Sequence, residues 1–497
     1  MLYVAERKTH LLSAGNIKRR WLCALFAVLI LMTMLLRGEA IIFADGPGDQ
    51  AFRISYTTAA GADRDAQSPD VAYNAEDNEY MVVWVGNGLA GADLRGVKEI
   101  FGQRINAATG AAVGAEFRIS NMSDKGKNRS ANSAQLVYNS AAHEYMVVWS
   151  GSGDRSAPDE VFEIYGQRLS RTGSKVGDDF RISNTTDLGK VAGSFVRASA
   201  RPDIAWNIQD NQYLVVWDGM GQPEDAVKIE VYGQLLNGTG GALGKNFRIS
   251  NTSDQGVDFS ATGAVAAYNS TNKQYLVVWS GAFKEKNQIE IWGQGLTAQG
   301  AQVGAGSGDF RISRVATGGA GPERDAAAPQ IIYNNSANEY FVAFHATGPV
   351  AGASGDYVTE VLGQRLNGAT LALAGANDFR ISNAVGPKNG ADNPRVAYNA
   401  QDKEYLVVWR GTRTNAPYEL FGQRLGLNGN EIEADFQISN IAAVAKDRSV
   451  NLAAVASSSA RGEYLVVWQG DALPGPANKK VNEIFGQRIK PSAGRRP

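Results

Sequence analysis

From residue 52 onward, short apolar runs alternate with polar breaks, and the order of runs repeats. Each repeat holds four segments rich in Val, Ile, Tyr, Phe and Trp. Clusters of Gly, Asn, Asp and Ser separate them, which is a strand-and-turn signature. No stretch of this body sustains a 3.6-residue apolar period, so the pattern predicts an all-β chain.

Three patterns each occur seven times. The first is Glu or Gln followed by Tyr and a strand ending in Trp. It starts at Tyr80, Tyr145, Tyr213, Tyr275, Tyr340, Tyr405 and Tyr464, and Phe344 replaces the Trp in the fifth copy. The second is Glu, two apolar residues and Gly-Gln, with the glutamines at Gln103, Gln167, Gln234, Gln294, Gln364, Gln423 and Gln487. The third is Phe-Arg-Ile-Ser. It starts at Phe52, Phe117, Phe180, Phe247, Phe310, Phe379 and Phe436, with Gln437 in place of Arg in the last copy.

In the first repeat the predicted strands are 71–74, 79–84, 99–105 and 117–120. Four antiparallel strands repeated seven times predict a seven-bladed β-propeller, because one blade cannot bury both faces alone. The order of copies predicts closure. The body opens on an orphan Phe52-Arg53-Ile54-Ser55 and ends on Gly486-Gln487 with no such segment behind it. The N-terminal strand is therefore expected to complete the last blade and leave no open edge. A tandem array of small β-sandwiches is the alternative.

The repeats resemble those of secreted bacterial proteins that carry Val-Val-Trp, Ile-Tyr-Gly-Gln-Arg and Phe-x-Ile-Ser segments. The resemblance covers residues 52–489. It implies repeat architecture and an extracellular or cell-surface location, and it implies no activity.

Composition is globular, with 44% hydrophobic and 20% charged residues, and the formal net charge is -1. That balance argues against nucleic acid, which calls for a basic excess. Lys18-Arg19-Arg20 precede an apolar run from Trp21 to Leu36. Residues 1–44 thus read as a signal peptide or an uncleaved N-terminal anchor, the only expected membrane contact. Residues 45–490 read as the propeller and 491–497 as a disordered tail. Cys23, the one cysteine, lies in the leader, so the mature body has no thiol.

Both the link between second and third strands and the link between repeats are long, and antiparallel order puts them on one face. Long links on a rigid scaffold are where binding concentrates. Arginine recurs there at Arg64, Arg129, Arg197, Arg324 and Arg448, a candidate anion-binding ring. The structural alternative pairs these arginines with the glutamates that open each third strand, from Glu99 to Glu483. Glycine of Gly-Gln is expected to admit a neighbouring Tyr or Trp ring. Glutamine is expected to bond a turn, and the arginine of Phe-Arg-Ile-Ser to face solvent.

His143 and His345 are the body's only histidines, and they lie in different repeats. Histidine-based catalysis and zinc sites find no pattern here. No cofactor is evident, and calcium held by isolated ligands stays open. If the protein is an enzyme, carboxylates such as Asp63, Asp65, Asp218, Glu224, Asp225, Glu323 and Asp325 must act. The third and fifth repeats depart most from the pattern. The leading expectation is an extracellular module that binds a polysaccharide or protein. A carboxylate-dependent glycan hydrolase or lyase, and a purely structural surface protein, are the alternatives.

Overall fold

In the computed structural model, residues 50–490 are described apart from 57–64, 88–96, 123–128, 153–161, 185–198, 221–228, 252–259, 284–287, 305–307, 316–324, 350–356, 384–389, 413–416, 441–448 and 475–479. The expected leader and tail lie outside the described residues.

The body is a seven-bladed β-propeller, and each blade is an antiparallel sheet of four strands. Blade 1 runs Ala66–Asn74, Glu79–Gly86, Glu99–Asn106 and Ala112–Arg118 from inside to outside. The fourth blade breaks its outer strand into Gln302–Val303 and Phe310–Arg311, both paired with the third strand. Inner strands touch one another in cyclic order, and Val450–Ser458 of blade 7 returns to Ala66–Asn74 of blade 1. Closure follows the expected route: Phe52 pairs with Gly486 and Arg53 with Phe485.

Tyr and Trp of the second strands fill the wedges between blades. Tyr80 and Trp84 are buried among Ala454, Leu465, Val467 and Ile484 of blade 7. Tyr145 and Trp149 are buried among Met81, Val83 and Val85 of blade 1. Each such ring contributes roughly 4–6 kcal/mol of burial free energy.

Three expectations about the repeated polar residues need correction. Arginine of Phe-Arg-Ile-Ser does not simply face solvent. It approaches the glutamate that opens the third strand, as in Arg53 to Glu483 at 2.5 Å and Arg118 to Glu99 at 3.9 Å. Serine of the same motif donates to that glutamate in all seven blades, from Ser55–Glu483 to Ser439–Glu419. It also accepts the next backbone N–H, as Ile100 to Ser120 Oγ at 2.8 Å. The glutamate is buried in every blade but the fifth, where Glu360 is partly buried, so polar partners hold it where water cannot. Gln437 stands in by donating to the Ser439 carbonyl at 2.7 Å, a bond Arg53 makes to Ser55.

Glycine of Gly-Gln admits not a Tyr or Trp ring but the outer strand's own Phe and Ile. A Cβ on Gly102 would lie 3.0 Å from Ile119 and 3.2 Å from Phe117. Glutamine bonds the outer strand rather than a turn: Gln103 Nε2 donates to the carbonyls of Arg104, Val113 and Gly114. Those bonds span the register shift between Gly102 and Arg104.

Candidate functional site

The two faces of the disc are built differently. On one, second strands begin after tight turns such as 75–78. Asn74 Oδ1 accepts the Glu76 N–H at 2.9 Å, an Asx turn that fixes the corner. Asn139, Asn207, Asn269, Asn334 and Asn399 do the same. The same face carries His143, whose Nδ1 lies 2.6 Å from Glu76 Oε2.

At the other end the long links leave and re-enter, and the repeat loses uniformity. The residue after each second-strand aromatic is Val85, Ser150, Asp218, Ser280, His345, Arg410 or Gln469. Each pairs across to the start of its inner strand, as Ala200 with Asp218 and Asp392 with Arg410. Just beyond, every inner strand bulges through a positive φ: Ser68 at 52°, Ser133 at 52°, Arg201 at 48°, Gly263 at 69°, Ala328 at 51°, Asn393 at 50° and Leu452 at 33°. Six of these seven are not glycine, and the turn face matches them with Asn78, His143, Asn211, Lys273, Asn338 and Lys403, so positive φ marks both ends of the inner hairpins alike.

Side chains of the variable position reach across to the next blade's bulge. Asp218 accepts from Gly263 N at 3.0 Å, Ala264 N at 3.2 Å and Arg201 Nε at 2.7 Å. Burial pushes its carboxyl up, and Arg201 and the two backbone N–H groups oppose the shift. Gln469 accepts from Ser68 N at 3.2 Å. His345 Nδ1 accepts from Asn393 N at 3.3 Å. Burial holds this imidazole below its usual pKa; Asp392 opposes the shift and Arg410 reinforces it. A neutral ring accepting at Nδ1 carries its proton on Nε2.

Arg410 is the centre of a cluster at this end. It makes a forked pair with Asp392, both bonds 2.7 Å, and donates to Asn451 Oδ1 at 3.1 Å. Its guanidinium lies 4.4 Å from the ring centroid of Tyr418, which is 37% exposed. Hydrogen bonding to Asp392 raises the Arg410 pKa further, so the charge is permanent. The result is an aromatic face at the rim backed by a cation.

Deeper along the axis, two residues past the bulge, the inner strands carry Asp70, Gln135, Asp203, Val265, Gln330, Arg395 and Ala454. Asp70 Oδ2 accepts from Leu136 N at 2.9 Å, and Asp203 Oδ2 from Ala266 N at 2.8 Å. Each acid thereby caps the free inner edge of the next blade. Burial pushes Asp70 up to about 6, opposed by the Leu136 and Val71 N–H groups and by Arg395. It pushes Asp203 up to about 7, opposed first by the Ala266 N–H, with Asp70 adding to the rise. Arg395 donates to the Pro394 carbonyl at 2.9 Å, and burial lowers its pKa against the pull of both acids. One step further the ring is apolar: Ala72, Val137, Ala205, Ala267, Ile332, Ala397 and Ala456.

Of the expected arginine ring, only Arg129 is described; Arg64, Arg197, Arg324 and Arg448 lie outside the described residues. Arg129 is 8% exposed, and its charge acts on the Tyr165 hydroxyl. The third-strand glutamates are engaged by the outer-strand serines. Among the candidate acids, Asp65 accepts from Asn482 N at 2.8 Å and Asp325 from Ile289 N at 2.8 Å, so both tether a link to a third strand. Asp218 is brought to the mouth. Asp63, Glu224, Asp225 and Glu323 lie outside the described residues. No group of three His, Cys, Asp or Glu placed to hold a metal occurs among the described residues.

Arg410, Asp392, Asp70, Asp203 and Arg395 were not picked out from the sequence. Their signal is a column that varies between polar types while its neighbours repeat.

No protein-family model matches the chain, and no curated protein matches it by sequence. Its fold matches solved propellers. An ulvan lyase, representing a new family of polysaccharide lyases, superposes with a TM-score of 0.52 at 9% identity, covering 87% of this chain and 95% of the lyase. An α-L-arabinofuranosidase from Fusarium graminearum superposes more loosely, with a TM-score of 0.43 at 10% identity over 90% of this chain and 98% of that one. The NanB sialidase from Streptococcus pneumoniae gives 0.42 at 7% identity over 89% and 70%. At such identities the likeness is one of fold.

Proposed function

We propose that this protein is an extracellular glycan-binding propeller whose binding surface is the mouth on the long-link face. One observation carries the reading. Departures from a sevenfold repeat gather at the variable second-strand position and its partners, where Arg410 backs the exposed ring of Tyr418. Sugars stack on such rims, and forked arginines and acids bond their hydroxyls. The ulvan lyase of the same fold acts on a polysaccharide, which favours a glycan over a peptide. The arginine ring belongs to this proposal, with Arg129 its described member, as does export through the leader at 1–44.

The test is retention on immobilised polysaccharides, with Tyr418→Ala and Arg410→Ala beside the natural protein. Retention on one glycan class that both variants lose supports the reading. Retention unchanged by either variant, or none on any glycan, sinks it.

A second reading, glycan cleavage, draws on Asp70 and Asp203, whose raised pKa values suit a general acid near neutrality. Release of new reducing ends from the retained glycan, abolished by Asp203→Asn, would establish it.

A further inference from the structure

Blade 7 shows less outer strand than the other six. In blade 1 the outer strand pairs in two halves, through Phe117 and Arg118 at the motif and through Ala112 and Val113 beyond the register shift. Blades 2, 3, 5 and 6 do the same, and blade 4 splits the two halves. In blade 7 the described pairing is Phe52 with Gly486 and Arg53 with Phe485. The edge at Arg488 and Ile489, where other blades seat the first half, has no strand partner among the described residues.

The buried glutamine of the third strand reports what belongs there. In blades 1 to 6 its Nε2 donates to a carbonyl of that first half: Val113 at 3.2 Å, Val176 at 3.4 Å, Leu243 at 3.3 Å, Val303 at 3.1 Å, Ala374 at 3.3 Å and Ile432 at 3.3 Å. Gln487 is 0% exposed, and neither its Nε2 nor its Oε1 has a hydrogen-bond partner. A buried amide without a partner costs free energy, so this one calls for an acceptor strand.

Counting identifies the occupant. Three residues before the motif Phe, the outer strand turns through a left-handed φ: Gly114 at 73°, Gly177 at 71°, Gly244 at 79° and Glu433 at 64°. The same count from Phe52 reaches Asp49. The described chain runs back from Phe52 towards it through Ala51, which packs on the core between blades 6 and 7. Aspartate is among the few side chains that enter the left-handed region readily. Gly48 and Pro47 then fall opposite Arg488 and Ile489, and proline is tolerated at the start of an edge strand.

We propose that residues 46–49 dock on this edge as the missing half-strand, with Gln487 donating to the carbonyls of Gly48 and Asp49. Blade 7 thus carries a strand-acceptor groove filled by the chain's own segment, the one directly behind the expected leader. A leader cut after Ala40 or Ala44 spares that segment. A cut beyond it would leave the edge open to foreign strands. The groove is separate from the mouth, and the proposal does not depend on the glycan reading.

The test is thermal melting of the full chain beside single variants. Gln487→Met should lower the melting temperature as Gln103→Met does, since each amide loses its carbonyl partners. With nothing docked, Gln487→Met should raise it instead, because an apolar side chain of similar shape replaces an unbonded amide. Asp49→Gly should raise the midpoint by about 1 °C and Asp49→Pro lower it by about 2 °C, as a left-handed position demands. A synthetic peptide copying residues 110–116 should give no saturable binding to the natural chain, whose groove is already filled. A higher midpoint for Gln487→Met, or an Asp49→Pro protein as stable as the natural one, would overturn the proposal. So would saturable peptide binding to the natural chain, which would assign the edge to an outside strand. Polysaccharide retention is measured separately, so either idea can fail alone.

Discussion

The two ends of the second strands are made from the same seven copies, yet they differ in kind. At the turn end each copy repeats one device, an Asn that caps its corner; only blade 7 substitutes Ser458. At the link end seven copies give Val, Ser, Asp, Ser, His, Arg and Gln. Uniformity marks the end that holds the disc together. Variation marks the end where each blade meets a different demand.

Comparing Arg424 with Arg410 makes the sharpest test of that contrast. Arg424 pairs with Glu404 at 2.7 Å with both side chains about 1% exposed. Arg424→Met should destabilise the ring by about 3–5 kcal/mol, because it strands a buried carboxylate. Arg410→Met, where the paired side chains are 23% and 22% exposed, should cost less, about 1–2 kcal/mol. Chemical denaturation of both variants decides; equal losses would erase the distinction between the ends.

Next in size is Asn139→Ala. It removes the cap on Ala141 and Ala142 N–H and the bond to the Tyr213 hydroxyl. A loss of about 1–2 kcal/mol is expected in the same melts. A neutral result would mean that the repeated corner contributes nothing to stability.

A further effect concerns pH. Asp70 and Asp203 have folded pKa values of about 6 and about 7, above the ordinary 3.8. Between those limits the folded chain holds more protons than the unfolded chain. Their contribution therefore falls as pH rises from about 4 to about 7. The doubly substituted Asp70→Asn, Asp203→Asn protein should show a melting temperature flatter with pH and higher at pH 8 than the natural chain. A steeper profile would contradict the assignment.

Smallest for stability is Tyr418→Ala, expected to stay within about 0.5 kcal/mol because the ring is exposed. Its effect should fall on glycan retention alone, and a large loss of stability would move Tyr418 from the rim to the frame.

Much of the frame was legible in advance because repetition averages out local ambiguity. Seven copies of Tyr-to-Trp spacing place the second strands, and the orphan Phe52 segment forecasts closure. Strand limits were less legible. Inner strands start at Ala66 rather than Val71 because the bulge at Ser68 and Pro69 interrupts the alternation. Outer strands run Ala112–Arg118, where Gly114, Ala115 and Glu116 give little β signal. The motif arginine was misread because its partner, the third-strand glutamate, is remote in sequence and enters only through pairing. Asp70, Asp203 and Arg395 occupy equivalent positions of three inner strands far apart in sequence, so no local spacing could join them.

The pairing of Phe52 with Gly486 has a consequence for how the chain is made. The first strand of the body to be synthesised must wait for the last before it has a partner. Earlier blades can form as they emerge, but the ring cannot lock until nearly every residue is available, and such distant pairing is slow. A truncated product lacking Lys480–Ile489 would hold six complete blades and an unmatched strand at each end. Such a product is open to proteolysis and to pairing with its own kind, so the closure strand also serves as a check that the ring is whole.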